Sequence, residues 1–210
     1  MAENKILYTT IKNEAVAEFE EKRSIFIGHA KPVKCEEEAA EFIKAKKKEF
    51  ADATHNVSGY IIKNGIIARY SDDGEPQGTA GMPVLDTIRK SGVTDACVVV
   101  TRYFGGILLG AGGLVRAYSH GAKIALEAAE IITYEQYTVL KIGCNYSDYQ
   151  KIQPHFYKVG AVIDDTDFGE SVTVVLAVKD EVVQGLFDKI REITSGRAVA
   201  RIVDHRFDYR

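Results

Sequence analysis

Residues 101–122, TRYFGGILLGAGGLVRAYSHGA, carry five glycines within nine positions, set between an apolar run and a long helical pattern. Hydrophobic packing alone needs no such run. Glycine lets the backbone take φ > 0 or approach another group closely, and a glycine-rich turn opening a helix aims several N–H groups one way, a geometry that suits an anion. The residues before it, Ala96, Cys97, Val98, Val99 and Val100, predict a strand; after it, Leu114, Val115, Tyr118, Ala122 and Leu126 recur at helical spacing. Arg102 and Arg116 flank the loop and add positive charge. Two readings follow. Arg102, Tyr103, Gly105, Gly106, Gly110, Gly112, Gly113 and Arg116 form an anion-binding or nucleic-acid-binding surface, or the segment is a tight strand-to-helix connection whose glycines only permit close packing.

The common phosphate loops do not fit. Gly105 and Gly110 have P-loop spacing, but Ala111 and Gly112 stand where that mechanism needs a lysine and a hydroxyl. A dinucleotide fingerprint starting at Gly110 and Gly112 meets Val115 in place of its third glycine, with no acidic residue at the expected distance.

A second unusual stretch, residues 71–85, reads SDDGEPQGTAGMPVL. Asp72, Asp73 and Glu75 place three carboxylates within four residues, and His55 lies near a strand start, a set able to hold Mg²⁺ or to perform acid–base chemistry. The same residues are also good turn chemistry. Aspartate accepts backbone N–H bonds, glycine supplies φ > 0, proline fixes φ, and Thr79 is placed to cap the following helix. Ser119 and His120 are adjacent on a helix and point apart, so they make no nucleophile and base pair.

The glycine and acidic stretches, together with FIGHAKPV at residues 26–33 and ADATHNVSGY at 51–60, resemble in this order the signature of the IMPACT family. The four motifs lie within about the first 130 residues. The resemblance implies an N-terminal domain similar to the left-handed β-α-β fold of ribosomal proteins, elongation factor G and certain small-molecule kinases. It also implies a C-terminal domain similar to one in elongation factor G. Eukaryotic members act in translational control, competing for a co-activator of a starvation-responsive kinase through an extra N-terminal domain. This chain opens on a strand-like segment over residues 1–10, so that partner is not expected here. For bacterial members, which this layout resembles, nucleic-acid or ribosome binding is the usual suggestion.

Composition restricts the function classes. With 210 residues, 46% hydrophobic, the chain is long enough for two small domains. Cys35, Cys97 and Cys144 are far apart, odd in number and patterned for burial, which argues for reduced core thiols and against a disulfide framework or zinc site. The first ten residues lack the apolar stretch of a signal peptide, and no apolar run spans a membrane, so a soluble cytoplasmic protein is expected. The net charge is −3, and acids slightly outnumber bases in both 1–133 and 134–210. Nucleic-acid binding would therefore need a local patch. Lys44, Lys46, Lys47 and Lys48 are read as a solvated helix end, since Glu36, Glu37, Glu38 and Glu41 occupy the start and the order matches the helix dipole.

In residues 1–133 the pattern predicts strands at 24–33, 56–62, 66–70 and 96–103, helices at 36–50, 79–90 and from the glycine loop to 129, and a hairpin turn at Lys63, Asn64 and Gly65. Residues 130–133 read as a connector. In 134–210, strands at 138–144, 161–163, 172–178 and 198–207 alternate with helices at 147–159 and 182–194. That β-α-β-β-α-β order is the ferredoxin-like sandwich, and the fold class expected is α+β in two domains, 1–133 and 134–210. The functional expectation is a non-enzymatic, translation-associated protein that binds RNA, a ribosome or a translation factor and carries no metal or cofactor. A Mg²⁺-dependent enzyme acting on a phosphorylated small molecule or nucleotide, and an adaptor using the C-terminal sheet face, are the alternatives.

Overall fold

Strand β6 (Ala96–Tyr103) is buried on both faces, which is why its sequence is continuously apolar rather than alternating. Val98 and Val100 join one hydrophobic cluster; Cys97 and Val99 join another on the opposite side. The computed structural model describes residues 8–63 and 65–209. Around β6 the chain forms an antiparallel sheet in the order β2-β3-β6-β4-β5, made of β2 (Ala15–Glu21), β3 (Ser24–Pro32), β4 (His55–Ile62) and β5 (Ile67–Ser71). Because β3 and β4 both run antiparallel to β6, they are parallel to each other, and α1 (Glu36–Glu49) links them in a β-α-β unit.

Helices α2 (Gly81–Lys90) and α3 (Ala111–Ala128) pack on one face of this sheet, where Val84, Leu85, Ile88, Tyr118 and Ala125 meet Phe26 and Val57. Helix α1 packs on the other, burying Ala39 and Phe42 against Cys97, Val99 and Ile62. Its charge order follows the expected dipole pattern, acidic at Glu36, Glu37 and Glu38 and basic at Lys46, Lys47 and Lys48.

In the second sheet, which β1 (Tyr8–Ile11) also joins at β7, the strands β7 (Ile131–Cys144), β8 (Val162–Phe168), β9 (Val172–Lys179) and β10 (Val199–Tyr209) lie in the order β10-β7-β9-β8, these neighbours all antiparallel. Helices α4 (Tyr146–Lys158) and α5 (Val183–Thr194) contribute Ile152, Phe156, Leu186 and Ile190 to a core with Leu140, Ile142, Val174 and Leu176. Order and connections are those of the ferredoxin-like sandwich. On the opposite face Tyr137, Val139, Val162 and Ala177 form a smaller cluster.

Several local expectations are corrected. Strand β7 begins at Ile131, inside the segment read as a connector, because Ile131, Ile132 and Thr133 are good strand formers. Strand β8 extends to Phe168 through three aspartates that a hydrophobic pattern does not register. Asn145 rather than a serine or aspartate caps α4, its Oδ1 accepting the Asp148 N–H at 2.8 Å. Strand β1 (Tyr8–Ile11) falls in the strand-like opening segment, whose residues 1–7 lie outside the described residues, as does Asn64 of the expected hairpin turn.

His29, on β3, is 3% exposed, rests against the Phe50 ring at 4.9 Å between centroids and has no hydrogen-bond partner at Nε2 among the described residues. Burial, then the charge of Lys46, pushes its pKa down to about 4. The folded value lies below the unfolded one, so at acidic pH the unfolded chain takes up a proton that the folded chain refuses. Stability is full above pH ~6.5 and falls as the pH drops toward ~4, by about 2 kcal/mol from this residue after allowance for solvent screening. Urea midpoints measured across that range should show the decline, and the His29→Leu variant should flatten it.

The contacts divide the described chain into Tyr8–Thr133 and a unit that starts at Tyr134. We propose that the two fold independently, since each carries its own core. Pieces 1–133 and 134–210, expressed alone, are expected to melt cooperatively; two unfolded pieces would mean one shared core.

Candidate functional site

Alternation along β6 sends Arg102 to the same side as Val98 and Val100, into the α3-facing core, where it is 5% exposed. A buried guanidinium requires a partner. Glu75 of the acidic loop supplies it: Arg102 Nη1 donates to Glu75 Oε1 at 2.6 Å, and the Tyr118 hydroxyl of α3 donates to the same oxygen at 2.7 Å. The guanidinium carbon lies 5.5 Å from the Phe26 ring centroid and 5.4 Å from that of Phe104. Burial, reinforced by Glu75, raises the Tyr118 pKa, which keeps its hydroxyl a donor. Arg102 Nε has no hydrogen-bond partner among the described residues.

The other acidic-loop residues hold backbone. Asp72 Oδ1 accepts from the N–H groups of Ala80 (3.1 Å) and Gly81 (2.8 Å), and its Oδ2 from Gly78 (2.9 Å). Asp72, not Thr79, therefore satisfies the start of α2, while the Thr79 hydroxyl donates to the Pro76 carbonyl. Asp73, at φ +48°, accepts the Asn56 N–H through Oδ2 at 2.6 Å and pairs with Lys47 through Oδ1. His55 Nδ1 sits 2.8 Å from the Asp73 carbonyl oxygen, which it reaches as a donor, leaving Nε2 3.9 Å from Glu75 Oε2. Among the described residues no group of three or more His, Cys, Asp or Glu is arranged to hold a metal ion.

The glycines are distributed differently from a single loop. Gly105 lies flat on the β2–β3 turn, where a Cβ would come within 2.0 Å of the Arg23 carbonyl, and its N–H donates to Ser24 Oγ at 3.2 Å. Gly106 belongs to the exposed crest, Gly110 turns the chain into α3 at φ +71°, and Gly112 and Gly113 are already in the first turn of that helix. Tyr103 is held by a 2.9 Å hydrogen bond from its hydroxyl to Asp52. Between Tyr103 and Gly110 the crest presents Phe104 (45% exposed), Ile107 and Leu108 (82%) to solvent.

The sequence reading missed the β2–β3 turn. Lys22 and Arg23 both have positive φ, 48° and 64°, giving a two-residue hairpin of the kind that usually carries Asn-Gly. With no such signal, the only hint was strand-like residues on either side of the basic pair. The turn places Lys22 with Arg116 and His120 around a cavity of about 430 Å³, walled by Phe19 and Leu109, with Glu20 and Glu21 on the same rim. Of the two arginines read as flanking the loop, Arg116 is exposed and Arg102 is buried in its ion pair. Lys22 and Arg23 stand beside the loop in its place.

The fold and site define a two-unit α+β protein whose first unit joins a glycine crest to an acidic loop through a buried ion pair. Residues 22–126 match the Impact N-terminal domain, and residues 142–197 match a domain of unknown function. The chain belongs to the IMPACT family. It is 35% identical over 192 residues to the IMPACT family member YvyE of Bacillus subtilis (strain 168), covering 91% of this chain and 88% of that one. It is 47% identical over 108 residues to an IMPACT family member of Thermus thermophilus, covering 51% and 58% respectively. Protein IMPACT of Mus musculus is 38% identical over 97 residues, 43% of this chain and 30% of its own length. A solved structure titled as that of a hypothetical protein superposes with a TM-score of 0.58 at 28% identity, over 94% of this chain and 98% of that one.

Removing one partner of a buried pair strands the other charge, at a cost of roughly 3–5 kcal/mol. Glu75→Gln and Arg102→Met should each lower stability on that scale in urea unfolding. The double variant should lose less than the sum of the two; strict additivity would show that the pair is uncoupled.

Proposed function

We propose that this chain is a non-enzymatic, translation-associated protein of the cytoplasm that binds single-stranded RNA through the face built by the glycine crest, the Lys22-Arg23 turn and the start of α3. The observation that carries this reading is the exposure of Phe104, Ile107 and Leu108 beside Lys22, Arg23 and Arg116. Exposed aromatic and basic groups on one surface are what an unpaired strand requires, a platform for base stacking and cations for the phosphates. The unpaired N–H groups of the first α3 turn add donors for a phosphate oxygen.

The translational setting follows what the family resemblance implies. The acidic loop supports binding over catalysis, because Asp72 and Asp73 spend their oxygens on backbone N–H groups and Lys47, and Glu75 spends one on Arg102 and Tyr118. Free thiols at Cys35, Cys97 and Cys144 support a reducing compartment.

Binding of a fluorescent oligouridylate, followed by anisotropy at several salt concentrations, tests the reading. Arg116→Ala should weaken binding and reduce the salt slope by about one, and Phe104→Ala should weaken it by roughly 1–3 kcal/mol with the slope retained. Unchanged affinity and slope in both variants would remove this face from the RNA contact. Co-sedimentation with ribosomal subunits, with and without Arg116→Ala, then separates free RNA from the ribosome as the target.

A further inference from the structure

The lysine run at the end of α1 does not behave as one solvated patch. Lys46 turns to Glu49 and Glu14, with Nζ–O distances of 2.9 Å and 3.9 Å. Lys44 and Lys47, three residues apart and so neighbours on the helix surface, face β5 instead. Together with Arg69 they edge a cavity of about 420 Å³ between α1 and the β4–β5 pair. Its walls are apolar: Ile43 comes from α1 and the ring of Tyr60 from β4, while Tyr70 of β5 turns its own ring to the opposite face, toward Gly81 of α2. Ser58 and Ser71 bring hydroxyl groups to the same space.

The charge around this cavity is incompletely balanced. Lys44 has no ion pair or hydrogen bond among the described residues, and Arg69, which donates to the Ala68 carbonyl at 3.2 Å, has among them a single carboxylate partner, Glu36, at the long distance of 3.9 Å. Glu36 is already committed, since it accepts the Tyr60 hydroxyl at 2.9 Å. Lys47 alone has a close carboxylate, Asp73. Three cations held at one mouth repel one another unless an anion joins them, and a planar apolar body stacks well against a tyrosine ring. The volume falls within the range of small-molecule sites.

We infer that the cavity between α1 and the β4–β5 pair is a second binding site, for a small phosphomonoester carrying a planar ring, of which a nucleoside 5′-monophosphate is the simplest form. The ring enters between Ile43 and Tyr60, and the phosphate stays at the mouth with Lys44, Lys47 and Arg69. Burial, and after it the bond to Glu36, pushes the Tyr60 pKa up to about 12, so its hydroxyl remains neutral and adds no negative charge to the wall. None of these residues belongs to the glycine-crest face, so the inference stands apart from RNA binding there.

Calorimetric titration of the full chain with adenosine 5′-monophosphate, adenosine and inorganic phosphate tests this directly. The monophosphate is expected to bind saturably and at least about tenfold more tightly than either fragment. Lys44→Ala and Arg69→Ala, both at exposed positions, should each weaken it by about tenfold, and Arg116→Ala should leave it unchanged. Equal or absent binding of the three probes would overturn the inference. So would full affinity in both Lys44→Ala and Arg69→Ala, or loss of the monophosphate in Arg116→Ala, which would move it to the glycine crest.

Discussion

The ion pair between Arg102 and Glu75 is the contact on which the placing of the acidic loop against the first unit's sheet and α3 depends. It joins three segments far apart in sequence: the end of β6, the acidic loop before α2, and α3 through Tyr118. A buried ion pair repays its desolvation only when geometry and extra hydrogen bonds are good, and here one carboxylate oxygen takes both a guanidinium and a phenol. The pair therefore acts chiefly as a registration device. An apolar substitute at both ends would hold the elements together, but it would not fix where the acidic loop sits against the glycine crest.

That registration gives each carboxylate of the acidic loop a partner within the fold. Asp72 ties the loop to the first turn of α2, Asp73 ties it to β4 and α1, and Glu75 ties it to β6 and α3. Three carboxylates in four residues look like a metal cluster in the sequence because spacing is all that the sequence offers. In the fold their oxygens diverge toward different elements. The same stretch read as turn chemistry gives the right physical account of Asp72, although the residue it caps is nine positions away rather than next in line.

The larger features were legible. A run such as Ala96 to Val100 has one economical explanation, a strand covered on both faces, and the alternation of helical and strand patterns after residue 134 specifies the ferredoxin-like order. Less legible were features that depend on pairing across space. Lys22 and Arg23 adopt a left-handed turn without glycine or asparagine, so no local signal marks them; the partner strands β2 and β3 impose the conformation. Arg102 reads as a loop-flanking cation, yet its position in the alternation of β6, two residues on from Val100, already pointed it into the core. Applied through Tyr103, the strand period would have separated the buried arginine from the exposed Arg116.

The strained hairpin and the flattened glycine are two halves of one construction. Gly105 can lie on the Arg23 carbonyl only because it lacks a Cβ, and this contact carries the crest across the β2–β3 turn. Any side chain at residue 105 would lift the crest away from the turn and separate Phe104, Ile107 and Leu108 from Lys22 and Arg23. Backbone strain of about 1–3 kcal/mol at a single left-handed residue persists where the surrounding structure holds it in place. Here the seven-residue register of β2 on β3 holds it, from Ala15 opposite Ala30 to Glu21 opposite Ser24. Gly105 thus acts as a spacer set by backbone contact, and this contact brings the side chains of the crest beside those of the turn.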